Sequence, residues 1–194
     1  NQWYIKPLFD ASYPKMIDEL DENCKPEILD GDMDIIAQPL DFLGVNYYTR
    51  LTYSAPSQAG EFYTELEHLY PRTDIGWEIY PKALTELLVS LNTQYKLPPV
   101  YIAEHGAAMP DKMEDGVIND LDRIDYYHKH LNAVNDAIEQ GVDIQGYFAW
   151  SLMDNFEWAE GYLKRFGLVR VNYVTQQRTI KNSGHAYNAL ISQR

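Results

Sequence analysis

Three short apolar runs, with helical patterns between and after them, constrain the fold of this chain more than any other feature. They cover residues 41–48, 99–103 and 144–150. Each run is mostly apolar instead of strictly alternating, which is typical of parallel strands that are covered on both faces. The order helix, strand, helix, strand, helix, strand, helix therefore predicts an α/β fold with a parallel sheet.

The helices are predicted from apolar residues at helical spacing and from the residues that end each pattern. One helix begins near Pro81 and ends before Pro98. A second runs from about 120 to 140, where Gly141 ends it, and a last helix begins near Ser183. The apolar stripe of the second helix comprises Ile124, Tyr127, Leu131, Val134 and Ile138.

Three β/α units cannot close a barrel, since an eight-stranded barrel needs about 250 residues. Alone they would leave two sheet edges and the barrel's interior face exposed. The chain is therefore either a small open α/β domain or a piece of a larger (β/α)8 barrel. The long loops after the strands, at roughly 49–77, 105–119 and 151–179, would lie at the face where barrels build their active sites.

Charge and composition exclude several classes of partner. The net charge of −13 repels polyphosphates, so we expect no nucleic-acid partner. No run approaches the length of a membrane span. Cys24 is the only cysteine, which fits a reducing compartment and leads us to expect a cytoplasmic location. Some of the 16 Tyr and 4 Trp residues offer flat platforms for a ligand such as a sugar.

Polar side chains lie at the ends of the first two predicted strands or directly after them. Glu104 ends one strand, and a carboxylate there is costly unless it is hydrogen-bonded or functional. Asn46 and Tyr48 are two residues apart at the end of another strand, so they point to the same side and can reach a neighbouring carboxylate. Alternatively, these residues have only structural roles: Glu104 lies in a surface loop, Asn46 in a turn and Tyr48 in the core.

The loop after the third strand carries Trp150, Glu157 and Trp158. Aromatic faces and a carboxylate that accepts from hydroxyl pairs are what a sugar site requires. Alternatively, both Trp side chains belong to the core and Glu157 is solvated.

Four stretches resemble glycoside hydrolase family 1, the β-glucosidase family, in the family's order and at plausible spacing. The resemblance covers the whole chain, from the helix before strand six of the barrel to the C-terminus. It implies that residues 1–194 are the C-terminal part, about three β/α units, of a single TIM (β/α)8 glycosidase domain whose N-terminal half is absent. The stretches are 41–49 (DFLGVNYYT), 76–81 (GWEIYP), 99–108 (PVYIAEHGAA) and 149–169 (AWSLMDNFEWAEGYLKRFGLV).

The resemblance implies a retaining β-glycosidase of the β-glucosidase type, which acts on terminal non-reducing β-D-glycosides without a cofactor or metal. Glu104 matches the nucleophile, and Tyr48 matches the residue that hydrogen-bonds it, beside Asn46. The glycone-binding residues are matched by Trp150, Glu157 and Trp158, with Phe166 lining the same subsite and Trp77 at the aglycone side.

The nucleophile motif departs from the usual Thr-Glu-Asn-Gly pattern of the family. Here it reads Ala103-Glu104-His105-Gly106. The Glu and Gly are kept, so the implied role of Glu104 stands. We expect His105 to titrate near neutrality, but we assign it no catalytic role.

A retaining glycosidase needs a second carboxyl group about 5–5.5 Å from the first. The family carries this acid/base on an Asn-Glu pair at the end of strand four, upstream of Asn1. We therefore expect the chain alone to turn over glycosides poorly, and to pair with its N-terminal half-barrel or to self-associate through the exposed interior.

Three competing interpretations stay open. A phospho-β-glycosidase of the same family would replace the Glu157-Trp158 pair with small polar residues, so the presence of that pair argues against it. A non-catalytic sugar-binding or scaffold homologue would lack one catalytic Glu. An independent small α/β domain would have no catalytic role, against which the polar residues at the strand ends argue. The preference for glucose, galactose or fucose is not decided by these residues.

Overall fold

The structure, a computed structural model, describes residues 2–56, 63–66 and 69–193. In these ranges no helix is both long and apolar enough to cross a membrane. Short 3-10 helices occupy Lys15–Glu19, Glu22–Cys24 and Trp158–Glu160. The other elements are, in chain order, α1 (Gln2–Asp10), α2 (Asp32–Ile36), β1 (Leu43–Tyr47), β2 (Tyr53–Ser54), β3 (Thr64–Glu65), α3 (Lys82–Gln94), β4 (Val100–His105), β5 (Met113–Glu114), β6 (Val117–Ile118), α4 (Leu121–Glu139), β7 (Ile144–Ala149), β8 (Val169–Val171), β9 (Arg178–Ile180) and α5 (Asn182–Ile191).

The three predicted strands form one parallel sheet in the order β1-β4-β7. Helix α3 connects β1 to β4, and α4 connects β4 to β7, as the sequence predicts. Because the carboxyl ends of parallel strands meet at one edge, the residues that follow the three strands lie together.

One face of the sheet is covered by α3 and α4, and the main hydrophobic core lies there. Leu84 and Leu88, four residues apart on α3, share one side of that helix and have no exposed surface. They pack with Val100 and Ile102 of β4 and Ala137 of α4, which are equally buried. Burial of each Leu contributes about 2 kcal/mol.

The opposite face, which we call the inner face, is open. Asn46, Ala103 and Gln145 are exposed on it, and the Phe148 ring is 56% exposed. Strands β1 and β7 are its unpaired edges. This is the face that a complete barrel would enclose, so the prediction that three units leave the interior exposed is confirmed.

The buried side of α4 differs from the predicted stripe. Tyr127 and Val134 are buried as predicted, but Ile138 is 46% exposed. Arg123 and His130 lie on the buried side instead, each without exposed surface. The apolar pattern did not predict these two residues, because both side chains are polar. They are buried because they have partners in the interior, and the pattern of a single helix does not show such partners.

The three long loops contain more regular structure than expected. The first holds the β2–β3 pair, and its residues 57–62 and 67–68 lie outside the described part of the chain. The second holds the β5–β6 hairpin, whose turn residues Asp115 and Gly116 have φ of 50° and 79°, the conformation that Asp-Gly favours. The third holds the 3-10 helix at Trp158–Glu160 and the β8–β9 hairpin.

His105 lies inside the core on the helix side of the sheet, with no exposed surface. The Tyr126 hydroxyl donates to the Gly106 carbonyl at 3.0 Å and accepts from His105 Nε2 at 3.1 Å, while the Tyr147 hydroxyl lies 2.5 Å from Nδ1. Burial, with a smaller contribution from His130, holds the pKa of His105 well below its usual value. The expectation that His105 titrates near neutrality is therefore wrong, because its ring is neutral and enclosed.

We expect the folded chain to lose stability as the pH falls from about 6.5 to 4. Burial lowers the pKa of His130 to about 4, so the unfolded chain binds more protons in this interval than the folded one. His130 alone then removes ~3 kcal/mol of unfolding free energy. Urea unfolding at pH 7 and pH 4.5, followed by Trp fluorescence, measures the loss.

A His130→Gln variant should lose less stability on acidification than the parent chain. His128→Gln is the matched control, because that side chain is exposed on the same helix. Equal acid sensitivity in all three proteins would contradict the assignment.

Candidate active site

A bulge near the end of β4 decides where Glu104 points. The ladder between β1 and β4 shifts register after Ile102, so that Ala103 is an extra residue and Asn46 lies opposite Glu104. A matching shift occurs on the β7 side. Bulges re-aim side chains next to active sites. Here Glu104 reaches the edge of the sheet where the loops meet, and His105 turns back into the core.

Tyr48 holds the carboxylate of Glu104. Its hydroxyl donates a hydrogen bond to Glu104 Oε2 at 2.7 Å, and its ring lies 5.4 Å from that of Trp77. Burial, followed by the hydrogen bond to Glu104, raises the pKa of Tyr48. The phenol is therefore neutral at physiological pH and available as a donor.

A cleft of about 890 Å³ opens above this pair. Seven of the eight candidate residues line it, drawn from the ends of all three parallel strands and from two of the loops. They are Asn46, Tyr48, Trp77, Glu104, Trp150, Glu157 and Trp158.

Phe166 is the exception, because it lies behind the wall of the cleft. It is only 2% exposed, and its ring packs edge-on against Tyr48 at 6.1 Å and at a tilt against Trp77 at 6.0 Å. The resemblance implies that Phe166 lines the sugar subsite. The structure corrects this: Phe166 supports the two aromatic residues that line the cleft.

Residues 150–167, which we call the Trp–Glu loop, bring the remaining groups to the cleft. The loop begins at a cis peptide bond between Trp150 and Ser151. The Trp150 backbone N–H donates to the His105 carbonyl at 2.8 Å, so the loop starts directly beside the strand that carries Glu104. Glu157 is half-buried, whereas the Trp158 ring is 82% exposed at the rim.

The environment of Glu157 disfavours its charged form. Burial raises the pKa of Glu157, and the charges of Glu104 and Glu160 raise it further, while a hydrogen bond from the Trp150 side chain lowers it.

We therefore expect Glu104→Gln to lower the pKa of Glu157 and Trp150→Phe to raise it. Carboxyl ¹³C NMR of the chain against pH measures both directions. A Glu157 midpoint that moves in neither variant would show that the three groups do not share one site.

Sequence reasoning missed several residues at the cleft. Phe156 is 58% exposed on its wall, and Asn155 donates to Ser151 Oγ at 3.2 Å inside the Trp–Glu loop. Their position between Trp150 and Glu157 is the signal that points to them. The missed residues are Ile75, Asn155, Phe156, Ala159 and Glu160.

Comparisons with known proteins agree with one another. A family model described as Glycosyl hydrolase family 1 matches residues 1–194. A β-glucosidase of Agrobacterium sp. is 45% identical over 199 residues, covering 99% of this chain and 43% of the relative. β-Glucosidase A of Thermotoga maritima is 41% identical over 189 residues, covering 97% of this chain and 42% of the relative.

A solved structure of the virulence factor SghA from Agrobacterium tumefaciens, in complex with its substrate analogue salicin, superposes with a TM-score of 0.93 at 44% identity. The match covers 98% of this chain and 43% of that one. The chain thus spans less than half the length of the proteins that it matches.

Proposed function

Because the chain belongs to glycosyl hydrolase family 1, we propose that it supplies the nucleophile and part of the sugar site of a retaining β-glycosidase. The enzyme is of the β-glucosidase type and hydrolyses terminal non-reducing β-D-glycosides. The observation that carries the proposal is the hydrogen bond from Tyr48 to Glu104, in a cleft that Glu157 shares.

The proposed reaction is a double displacement. Glu104 attacks the anomeric carbon and forms a glycosyl-enzyme as the bond to the leaving group breaks. A second carboxyl group protonates the leaving oxygen and then takes a proton from the water that releases the sugar. Since Tyr48 holds Oε2, we assign the attack to Oε1 of Glu104.

The sugar is held by the Trp–Glu loop in this proposal. Glu157 accepts from two adjacent hydroxyls, at positions 4 and 6, and Trp150 stacks under the ring. Trp158, exposed at the rim, is covered by the bound sugar. Asn46 lies beside the nucleophile, and Trp77 faces the aglycone.

The acid/base and the rest of the barrel come from a second part in this proposal. The inner face and the edge of β7 are open, and a groove of about 550 Å³ beside β7 is lined by Phe148, Leu152, Ile180 and Ile191, among others. An N-terminal half-barrel would cover these surfaces.

We also propose a cytoplasmic location, because Cys24 is the only cysteine in the sequence, which fits a reducing compartment.

The charges around the cleft argue against a phosphorylated sugar. In the part of the chain that the structure describes, no Lys or Arg lines the cleft, whereas three carboxylates do. The nearby Lys164 pairs with Asp74 at 3.2 Å, and Arg165 pairs with Asp154 at 2.5 Å. A phosphate at the sugar's 6-position would meet the Glu157 carboxylate, with no Lys or Arg among the described residues that line the cleft to offset its charge.

A chimera tests the proposal. In it, this chain replaces the matching C-terminal part of the Agrobacterium β-glucosidase, which retains its own N-terminal part. We expect the chimera to hydrolyse p-nitrophenyl β-D-glucoside, and the isolated chain to be at least 10²-fold slower because it lacks the acid/base.

Two outcomes would count against the proposal. A chimera that unfolds cooperatively and binds glucosides without turnover would favour the sugar-binding scaffold. A near-normal kcat for the isolated chain would show that the second carboxyl group lies within the 194 residues.

A further inference from the structure

A buried ion network connects the two segments that follow β4 and β7, among residues that the proposed mechanism does not use. It contains three cations and three carboxylates, so its charges balance. None of them lines the cleft. The members are Asp111, Asp120, Arg123, Asp154, Arg165 and Lys181.

Lys181 is the bridge of the network. Its side chain has no exposed surface, and its ammonium group pairs with Asp111 and, at 3.0 Å, with Asp154 Oδ1. Asp111 belongs to the segment that follows Glu104, and Asp154 belongs to the Trp–Glu loop. A single cation therefore joins the two segments that carry the nucleophile and Glu157.

Asp154 fastens the two ends of the Trp–Glu loop to each other. Its Oδ1 accepts from the backbone N–H of Gly167 at 3.0 Å, and its Oδ2 accepts from Arg165 at 2.5 Å and from the backbone N–H of Val171 at 3.3 Å. These bonds close the loop at its base. The position of Glu157 between its ends is therefore tied to Asp154.

Arg123 fastens the segment after Glu104 in the same way. It pairs with Asp111 at 2.9 Å and with Asp120, and it donates to the carbonyls of Ala107 at 3.4 Å and Arg165 at 2.8 Å. Residues 107–111 and the end of the Trp–Glu loop thus share one guanidinium group.

The energetics of such a network favour a geometric role over a stabilising one. Buried ion pairs are often matched or surpassed in stability by apolar residues of similar volume, because removal of the charges from water is costly. Removal of one partner leaves an uncompensated buried charge and displaces its neighbours. An ion pair network of this kind holds the two segments at a fixed distance from each other.

We propose that Lys181 is a positioning residue that sets the glycone selectivity of the site, by fixing the Trp–Glu loop against the segment that follows Glu104. This inference rests on the proposed function, since it holds that Lys181 sets the distance between Glu157 and the sugar bonded to Glu104. Lys181 acts through Asp111 and Asp154, and it does not touch the sugar.

The test compares two substrates in the chimera. p-Nitrophenyl β-D-xyloside lacks the hydroxymethyl group that carries the 6-hydroxyl. The ratio of kcat/KM for the glucoside to kcat/KM for the xyloside therefore reports how strongly Glu157 binds the 6-hydroxyl. We expect Lys181→Met to raise KM for the glucoside about 10-fold and to reduce the ratio about 5-fold. Lys181→Arg keeps the charge and should preserve most of the ratio.

Ser183→Ala is the matched control. It removes the hydrogen bond from Ser183 Oγ to Asp120 Oδ2 at the far end of the same network. This variant should lose stability with an unchanged substrate ratio. If Lys181→Met does not fold, Asp111→Asn weakens the same bridge and should lower the ratio to a smaller extent.

The outcomes separate the two proposals. An unchanged ratio in a folded, active Lys181→Met chimera would overturn the positioning role and leave the proposed function intact. An inactive parent chimera would instead count against the proposed function. Hydrogen exchange then still decides the role of Lys181 in the 194-residue chain: the Met variant should speed exchange in both 107–111 and 150–167, and faster exchange in neither segment would overturn the proposal.

Discussion

Replacement of Glu104 by Gln is expected to lower kcat/KM of the chimera for p-nitrophenyl β-D-glucoside on the order of 10⁴-fold or more. The amide preserves the volume of the side chain and can still accept the hydrogen bond from Tyr48, so the fold and the cleft remain. It cannot form the glycosyl-enzyme, because a neutral amide is a poor nucleophile. Steady-state kinetics with both proteins at equal folded concentration measures the loss.

Glu160→Gln is the control for loss of a carboxylate from the same cleft. Glu160 lines the cleft but has no role in the proposed chemistry, so its replacement should change kcat/KM less than about 3-fold. In a Glu104→Ala variant, added azide should occupy the space of the carboxylate and give the α-glycosyl azide. Substantial hydrolysis by Glu104→Gln, or a β-glycosyl azide, would place the nucleophile elsewhere.

Replacement of Gly106 by Ala is expected to destabilise the chain by about 3 kcal/mol or more. A Cβ atom at this position would lie 1.7 Å from the Trp150 carbonyl oxygen and 2.8 Å from its carbonyl carbon. Both are backbone atoms next to the start of the Trp–Glu loop, so no side chain can move aside. Either the end of β4 or Trp150 must shift, and the activity of the chimera should fall as well.

Gly44→Ala is the matched control on the neighbouring strand. Its added Cβ would meet the Ala103 side chain at 3.5 Å, which is ordinary contact. We expect this variant to change the unfolding free energy by less than about 1 kcal/mol. Urea unfolding of the chain, followed by Trp fluorescence, compares the two. A loss below 1 kcal/mol for Gly106→Ala would show that the two backbones are farther apart than the structure places them.

The sequence predicted the parts of the fold that depend on local pattern. The three parallel strands and the helices between them follow from runs of apolar residues and from Pro and Gly at the helix ends. The matching fold of family 1 structures is consistent with a part of an α/β barrel. Strand-end residues reached the cleft because parallel strands bring their carboxyl ends to one edge.

The bulge in β4 shows why the rest was not predicted. Strict alternation from Ile102 would place Glu104 on the helix side and His105 on the inner face. The extra residue, Ala103, reverses both positions, so Glu104 meets Tyr48 and His105 is buried. A bulge depends on the pairing of neighbouring strands, which no local pattern contains.

Contacts between segments that are distant in the sequence could not be predicted from it either. Arg123 interrupts the apolar pattern of α4, yet it is buried because Asp111 and Asp120 neutralise it. Phe166 was expected to line the sugar subsite, yet it is buried against Tyr48, because the Trp–Glu loop folds back on that residue. Such positions follow from how loops pack on each other.

Formation of the covalent bond between Glu104 and the sugar is the step on which the proposed function depends. The most direct measurement treats the chimera with 2,4-dinitrophenyl 2-deoxy-2-fluoro-β-D-glucoside, whose leaving group departs readily while the fluorine slows release of the sugar. Peptide mapping by mass spectrometry then locates the label. The proposed mechanism requires one fluoroglucosyl group per protein, on Glu104. A label on Glu157, on Glu160 or on any other residue would contradict it.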